Sequence, residues 1–552
     1  MRKSITNILG ALGFATVLMM AASSFAALPD IPGAYYKSGD VNSDGNTRGG
    51  DVTFLVNYFR GFETTIPPDS VPFEDRWLYA AADVNGDCRV VGSDVTYLVN
   101  YFRGMVTLKN CEQVPPRCVV EVYDADIDTG DVVTWDAECT YILKEWVFVD
   151  SGAVLNIPAG TIIKGEPGQA VDSKALIVAR GGQIFAEGTA DNPIIFTSVS
   201  DYTDVTDDLP LIARGLWGGV ILLGKAVINT ATGVGQIEGI SSEEPRAAYG
   251  GDDDNDNSGV FRYVSIRHGG SVIGANNEIN GLTLGAIGSA TTIDHVEVAN
   301  NLDDGFEWFG GTVDCKYLVS INNGDDNFDY DEGWTGKGQF WFAFQEPTNG
   351  NHGGEHDGGT TPEDGLPFAI PSISNVTYIG CGINSPNIDN VFALMIRDNA
   401  GGHYGNTIFM EFPYEGTSIE DLADPNVDSR QRLESGDLTL KNTIWWNFGA
   451  GNTSDAIWPQ DFVETYMTNA ANSNDIVDPQ LLTISWTNDG TLDPRPNASG
   501  PAASGASFSD SWYNDPFFSV VTYKGAFDPN ATSLWTDGWT YMSQLGYTSS
   551  AR

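Results

Sequence analysis

The chain has 552 residues, with 28 basic and 74 acidic side chains that give a formal net charge of −46 at pH 7. This length predicts two or three domains with a large buried core. So acidic a surface repels nucleic-acid phosphates and anionic membranes, and it suits surroundings rich in divalent cations that can neutralise carboxylates.

The N-terminal segment has the features of an export signal. Arg2 and Lys3 form a basic start, residues 5–22 are mostly apolar, and Ser24-Phe25-Ala26 places small residues before a cleavage site. We therefore predict a signal peptide over residues 1–26 and a secreted protein, extracellular or at the cell surface. No later stretch approaches the ~20 apolar residues of a spanning helix, so no membrane insertion is predicted. Six cysteines in an exported chain can form disulfides, and their spacing leaves the pairing open.

A duplicated segment follows the signal. Residues 39–61 read GDVNSDGNTRGGDVTFLVNYFRG, and residues 82–104 read ADVNGDCRVVGSDVTYLVNYFRG. Calcium takes about six to eight oxygen ligands, and a loop of about 12 residues supplies them at alternating positions and at its end. The predicted ligands are Asp40, Asn42, Asp44, Asn46 and Asp51 in the first loop, and Asp83, Asn85, Asp87, Arg89 and Asp94 in the second. Arg89 would bind through its backbone carbonyl.

Each loop leads into a short amphipathic pattern. Apolar residues recur with helical spacing from Val52 to Phe59 and from Val95 to Phe102. Helices this short are not stable alone, so the two apolar faces are predicted to pack together. The second loop departs from the first at Cys88, which stands where Gly45 permits a sharp turn.

The duplicated loop and helix resembles a type I dockerin domain over residues 36–106. The resemblance implies calcium as a cofactor and a cohesin domain as the partner, bound through the surfaces around Gly49-Gly50 and Gly92-Ser93. The alternative is that the calcium loops staple a small domain, which docks on this chain or on another copy of it.

Residues 107–123 are predicted to be a linker because they contain Pro115-Pro116 and two cysteines. Beyond them, short runs of β-forming residues alternate with Gly, Asn and Asp turns. ANNLDDGFEW (299–308) aligns with INNGDDNFDY (321–330) at an offset of 22 residues, about one coil of a parallel β-helix. We therefore expect Asn300 and Asn322 to stack as a hydrogen-bonded ladder, and Phe306 and Phe328 as an aromatic ladder.

Residues 124–552 resemble a broad group of secreted bacterial β-helix proteins. The phrases that carry the resemblance include IPAGTIIKG, GLWGGVILLGKAVIN and the terminal KGAFDP. The resemblance implies a mainly β fold, a right-handed parallel β-helix with a C-terminal cap, preceded by the small α-helical calcium-binding domain. It implies no settled activity.

Two acidic pairs in the 22-residue repeat are candidates for chemistry. Asp303-Asp304 and Asp325-Asp326 would stack one coil apart, and carboxylates that close share a proton or bind a cation. Three interpretations stay open: a calcium site, an acid–base pair for sugar cleavage, and turns that face water. The candidate catalytic residues are Asp304, Asp326, Glu307 and Arg267. Arg267 would serve as the base of a calcium-dependent lyase.

A third pattern matches a zinc-protease motif in its residue types but not in its predicted structure. His352, Glu355 and His356 form H-x-x-E-H, which places both histidines on one face of a helix. The surrounding NGNHGGEHDGG has too many glycines for a helix, so a loop is predicted and a zinc protease is not.

The sequence therefore predicts an extracellular dockerin-bearing β-helix protein that docks through its calcium loops and binds or degrades polysaccharide. As an enzyme it would be a glycoside hydrolase or a polysaccharide lyase, and the sequence leaves open whether it is one. The alternative is a non-catalytic adhesive or structural subunit of the cell surface, assembled through the calcium-binding module.

Overall fold

The computed structural model describes two compact units, Met1–Arg117 and Cys118–Arg552. The described residues are 39–42, 46–60, 70–73, 76–79, 82–85, 92–109, 112–113, 117–203, 205, 208–241, 243–274, 277–359 and 361–548. The predicted signal peptide and the predicted ligands Asp44, Asp87 and Arg89 lie outside them. In the part of the chain that the structure describes, no helix is both long and apolar enough to cross a bilayer.

The first unit is built on two helices, Gly49–Phe59 and Gly92–Phe102. Leu55 and Leu98 enter one buried cluster together, so the predicted packing of the helices is confirmed. Phe59 and Phe102, at the last residue of each helix, stay 43 % exposed, so the predicted apolar faces are only partly buried. A three-stranded antiparallel sheet completes the unit, with strands Ser70–Phe73, Arg76–Tyr79 and Glu112–Gln113.

The second unit begins with the strand Cys118–Val122, which overlaps the linker predicted over residues 107–123. This strand pairs in parallel with Cys139–Leu143, and Cys118 lies directly opposite Cys139. The two cysteines form a disulfide across a sequence separation of 21 residues, about one coil. Cys315 and Cys381 are buried free thiols.

The second unit is a parallel β-helix in which successive coils add strands to three stacks, here called A, B and C in the order of the coil that begins with Trp146–Val149. Stack A is a nine-stranded sheet of Trp146–Val149, Ala175–Val178, Val220–Leu223, Leu282–Gly285, Phe306–Phe309, Phe328–Asp331, Gly354–Asp357, Phe392–Arg397 and Glu415–Ile419. Stack B contains Val132–Thr134, Val154–Pro158, Gln183–Glu187, Lys337–Gln339, Ser372–Ser374, Gly402–Gly405 and Leu438–Lys441. Stack C contains Cys118–Val122, Cys139–Leu143, Ile162–Gly165, Ile194–Ser198, Phe342–Phe344, Thr377–Ile379, Ile408–Met410, Ile444–Trp446 and Asp475–Ile476. Three longer strands, Gly259–Arg267, Thr292–Ala299 and Cys315–Ile321, run through both B and C.

Short elements decorate the coils. The two-stranded hairpins are Gly235–Gln236 with Ala248–Tyr249, Ser271–Gly274 with Asn277–Ile279, and Leu481–Thr483 with Asp493–Pro496. The α-helices are Ser429–Ser435, Ser454–Ile457, Asp461–Met467 and Tyr541–Gln544. The 3₁₀ turns are Asp124–Asp126, Ala170–Asp172, Pro245–Ala247, Pro425–Val427, Pro501–Ala503 and Ser511–Tyr513.

The predicted ladders differ in their outcome. Phe306 and Phe328 stack with ring centroids 5.4 Å apart, which confirms the aromatic ladder. Asn300 and Asn322 occupy equivalent turn positions with φ of 57° and 53°, but no hydrogen bond joins their side chains to each other, so the predicted asparagine ladder is wrong. These asparagines serve the turn from stack C to stack A, because Asn tolerates the left-handed conformation that the turn requires.

Candidate functional site

The outward side of stack A carries carboxylates over three successive coils. Alternation along each strand points Phe306, Trp308, Phe328 and Tyr330 into the core and the intervening residues outward. Glu307 lies opposite Asp329, and Asp329 lies opposite Glu355. We define the acidic face as these outward residues together with the turn residues that precede them. Its members are Asp303, Asp304, Glu307, Asp325, Asp326, Asp329, Asp331, Glu355 and Asp357.

The two acidic turns lie one above the other, as the 22-residue period predicts. The Asp326 backbone N–H donates to Asp304 Oδ1 at 2.8 Å, which links consecutive coils through a predicted site residue. Asp304 is 7 % exposed and Asp326 is 1 % exposed. For these two residues the water-facing interpretation is therefore wrong, since the turns fold back against neighbouring coils.

The carboxylate oxygens come together in two groups that share Asp304. Asp303, Asp304 and Asp325 form one group, and Asp304, Glu307 and Asp329 form the other. Within each group one oxygen from every residue lies within 4.8 Å of the others. The structure thus brings the predicted site residues Asp304 and Glu307 together in one of these groups. Asp326 belongs to neither group, although its neighbour Asp325 does.

The crowding of these groups disfavours their charged forms. Burial, followed by the negative charge of Asp325, raises the pKa of Asp303 to about 8. Burial and the charge of Asp303 raise the pKa of Asp304 well above its usual range. Burial and the charge of Glu238 do the same to the pKa of Glu307. Such a face must either hold protons near neutral pH or be neutralised by cations.

Two cationic side chains that the sequence did not single out for this site contact the acidic face. His352 Nδ1 lies 3.0 Å from Asp326 Oδ1 and 3.8 Å from Glu355 Oε2. Arg397 Nη2 lies 2.6 Å from Glu355 Oε1, and Arg397 Nε lies 2.8 Å from Asp357 Oδ1. Burial opposes the charge on Glu355, but the positive charges of Arg397 and His352 help to lower its pKa to about 2.

Residues 354–356 of the H-x-x-E-H segment lie in the strand Gly354–Asp357, so for them the predicted loop is wrong, while His352 and Gly353 precede the strand. Strand alternation points Glu355 outward, while His356 points into the core, where its ring stacks on Tyr330 at 4.0 Å. His356 Nε2 also contacts the Tyr404 hydroxyl at 2.7 Å. The two histidines therefore do not share a face: Glu355 belongs to the acidic face and His352 contacts it, whereas His356 does neither. Glu355 occupies the position of Asp329 one coil further along stack A, so extending the repeat by one coil could have found it in the sequence.

Arg267, a predicted catalytic residue, lies in the stack C part of its strand and is 1 % exposed. Its Nε donates to Ser265 Oγ at 2.8 Å, and Ser265 Oγ donates to Glu297 Oε2 at 2.6 Å. Its guanidinium lies 4.6 Å from the centre of the Tyr541 ring. Arg267 is thus enclosed beneath the C-terminal helix and bound to its own network, where a polymer in solution does not reach it.

The substitution Arg267→Met should destabilise the second unit by about 3 kcal/mol, because it leaves Glu297 buried without its compensating charge. Equilibrium denaturation of the full chain measures this loss. The double variant Arg267→Met with Glu297→Gln should recover part of it, since both charges are then removed. Polysaccharide binding or turnover per folded molecule should stay unchanged. A variant that is fully stable yet inactive would instead place Arg267 in the site.

The predicted calcium loops of the first unit bury their described carboxylates. Asp40, Asp51, Asp83 and Asp94 are each at most 1 % exposed. Asp51 accepts the N–H groups of Arg48 at 2.7 Å and Asn42 at 3.2 Å.

In the second loop, Asp94 accepts the N–H of Val84 at 3.0 Å. The predicted ligands Asn46 and Asn85, one in each loop, are half-buried. Buried carboxylates of this number are unfavourable without a cation, so the described loop residues fit calcium.

Comparison with protein families gives two matches. Residues 126–489 match the family described as pectate-lyase-like β-helix domain. Residues 38–103 match the type I dockerin domain, a family whose members bind calcium and cohesins. Neither the comparison with curated proteins nor the comparison with solved structures found a match for this chain.

Proposed function

Because the chain belongs to the pectate-lyase-like β-helix family and carries a type I dockerin domain, we propose that it is a cohesin-docked extracellular protein that acts on polysaccharide along its acidic face, with calcium. The observation that carries this proposal is the pair of oxygen-only groups that share Asp304. The dockerin loops would hold calcium through the predicted ligands, and the acidic face would hold it through Asp303, Asp304, Asp325, Glu307 and Asp329.

The donor set of the acidic face supports calcium over an acid–base pair. Calcium takes carboxylate oxygens as ligands, and the buried Asp329 Oδ1 has no hydrogen-bond partner. Calcium lies about 2.3–2.6 Å from each ligand oxygen, so two oxygens that bind one ion are at most about 5.2 Å apart. One oxygen from each residue of a group lies within 4.8 Å of the others, as a shared ion requires.

The match to the pectate-lyase-like family supports a uronate-containing polysaccharide, with calcium offsetting the negative charge of the chain. A protein with a net charge of −46 repels polyanions in solution. When bound, calcium supplies positive charge that bridges protein carboxylates to sugar carboxylates. The Arg397 side chain is 46 % exposed beside the acidic face and adds a positive charge from the chain itself. The proposed reaction is therefore of the polysaccharide-lyase type.

A second candidate function is glycan retention without cleavage. His352 and Arg397 are both engaged by carboxylates of the acidic face, and against the effect of burial the negative charge of Asp326 raises the pKa of His352 to about 10. A charged imidazolium and a charged guanidinium do not accept a proton. This observation favours an adhesive or scaffold role, in which the acidic face only holds the polymer.

The test is to incubate the full chain with polygalacturonate, alginate and neutral xylan in the presence of calcium. Unsaturated products, new reducing ends and the fraction of polymer retained are measured in parallel. We expect retention of a uronate polymer that EGTA reverses, with unsaturated products if the reaction is elimination. The variant Asp304→Asn should weaken retention about tenfold, equivalent to about 1.4 kcal/mol.

The matched control is Asp191→Asn, which removes the same charge from an exposed loop. Retention that is equal in wild type and Asp304→Asn, or that persists without calcium, would count against the acidic face as the site. Retention without any product would select the second candidate.

A further inference from the structure

Beside the oxygen-only groups lies a third group with a different composition. One ligand atom each from Asp326, His352 and Glu355 lies within 4.8 Å of the others. We propose that these three residues form a site for a first-row transition metal ion such as Zn²⁺, separate from the calcium groups. We call it the mixed-ligand site, and it does not depend on the polysaccharide proposal.

The imidazole nitrogen decides which metal the site suits. Calcium takes oxygen ligands, whereas imidazole nitrogen together with carboxylate suits zinc, iron, nickel and copper. Asp326 and Glu355 then complete a set of one nitrogen and two oxygens. Three protein ligands leave at least one position for water or a sugar oxygen, as in catalytic zinc sites.

The separations of the donor atoms match a metal of this size. Zinc binds nitrogen and carboxylate oxygen at about 2.0–2.1 Å, so two ligands at tetrahedral positions lie about 3.3 Å apart. The distance from His352 Nδ1 to Asp326 Oδ1 is 3.0 Å, and the distance to Glu355 Oε2 is 3.8 Å. The two values bracket the expected one, so small side-chain movements would admit the ion, which would replace the proton that His352 carries when no metal is bound.

His352 Nδ1 is aimed at the two carboxylates without a well-formed hydrogen bond. The His352 side chain is 7 % exposed, and its Nδ1 has no partner that meets hydrogen-bond geometry, although Asp326 Oδ1 lies 3.0 Å away. An imidazole that only formed an ion pair would direct its N–H along the line to the oxygen. Here the buried ring nitrogen faces two carboxylates, but its N–H does not point straight at an oxygen. This arrangement is the one expected when all three residues bind a shared cation.

The surrounding residues hold the ligands in place. The His352 backbone carbonyl accepts hydrogen bonds from Asn327 Nδ2 at 3.0 Å and from Gln345 Nε2 at 3.1 Å. The His352 ring packs parallel to Phe392 at 5.7 Å. Arg397 engages Glu355 Oε1 and leaves Oε2 toward His352. Contacts that orient ligands in this way typically accompany metal sites.

The experiment uses the untagged full chain, saturated with calcium and dialysed against Zn²⁺. Elemental analysis should find one zinc ion per chain that excess calcium does not displace. His352→Gln and the shape-conserving Glu355→Gln should each weaken zinc binding at least tenfold. The control His403→Gln removes another buried histidine, whose ring stacks on Trp512 away from the acidic face, and should leave zinc binding unchanged.

Co²⁺ in place of Zn²⁺ gives an independent readout. We expect visible ligand-field absorption in wild type and in His403→Gln, and its loss in His352→Gln. Near-ultraviolet circular dichroism shows whether each variant is folded. Equal zinc retention in wild type and both ligand variants means adventitious binding to the acidic surface and overturns the proposal, as does full displacement of zinc by calcium.

Discussion

Removal of calcium with EGTA should destabilise the first unit by about 4 kcal/mol, the linkage expected when the ion is present at ~1,000 times its dissociation constant. The reason is the burial of Asp40, Asp51, Asp83 and Asp94, each at most 1 % exposed. Asp40 and Asp83 precede Val41 and Val84, which belong to the same apolar cluster as Leu55 and Leu98, so their charges are unfavourable there without the ion. Hydrogen exchange of the full chain over Gly49–Phe59 and Gly92–Phe102 measures the loss, and cohesin binding should disappear with it.

The variant Asp51→Ala with Asp94→Ala should abolish most of the calcium effect even in calcium-rich buffer. Each substitution removes a carboxylate in the first turn of its helix that also accepts a backbone N–H group, from Arg48 for Asp51 and from Val84 for Asp94. Asp191→Ala, in an exposed loop of the second unit, is the control for the change of charge. Helices that stay equally protected from exchange with and without calcium would contradict the calcium assignment.

Trp308→Ala should destabilise the second unit by about 4 kcal/mol or more. Truncation of a buried aromatic costs about 3–5 kcal/mol, and each stacked pair adds about 0.5–1.5 kcal/mol. The Trp308 ring is fully buried and stacks on Trp334 at 4.8 Å and on Trp341 at 5.2 Å. Guanidinium denaturation of the full chain, monitored by near-ultraviolet circular dichroism, measures the free energy of unfolding of this unit.

Trp308→Phe is the matched control, because it keeps one ring in the stack and should lose less than half as much stability. Its loss should come from the smaller ring volume and the cavity that remains. If Trp308→Ala and Trp308→Phe cost the same, or if neither changes the midpoint, the stacking of Trp308 on Trp334 and Trp341 does not stabilise the coils as the structure indicates.

Repetition made much of the fold predictable. The duplicated loop and helix revealed the dockerin domain, because ligand spacing and helical spacing recur together in both copies. The offset of 22 residues between Phe306 and Phe328 predicted a coil, and with it the stacking of the two acidic turns. Both predictions rest on local patterns that each copy repeats.

Contacts between distant segments could not be predicted in this way. Arg267 is enclosed by Tyr541, which lies far along the chain, so its burial could not be predicted from a local motif. Arg397 reaches the acidic face because the strand Phe392–Arg397 adds one further coil to stack A. The disulfide between Cys118 and Cys139 likewise depends on the register of two neighbouring coils.

The most direct test of the proposed function is the calcium dependence of glycan retention in wild type and in Asp304→Asn. Both are titrated with calcium in the presence of polygalacturonate, and the retained fraction of polymer is measured at each concentration. We predict that wild type retains the polymer in a saturable, calcium-dependent way, and that Asp304→Asn needs about tenfold more calcium for the same retention. Superimposable curves for the two proteins, or no retention by wild type at any calcium concentration, would contradict a calcium-dependent glycan site on the acidic face.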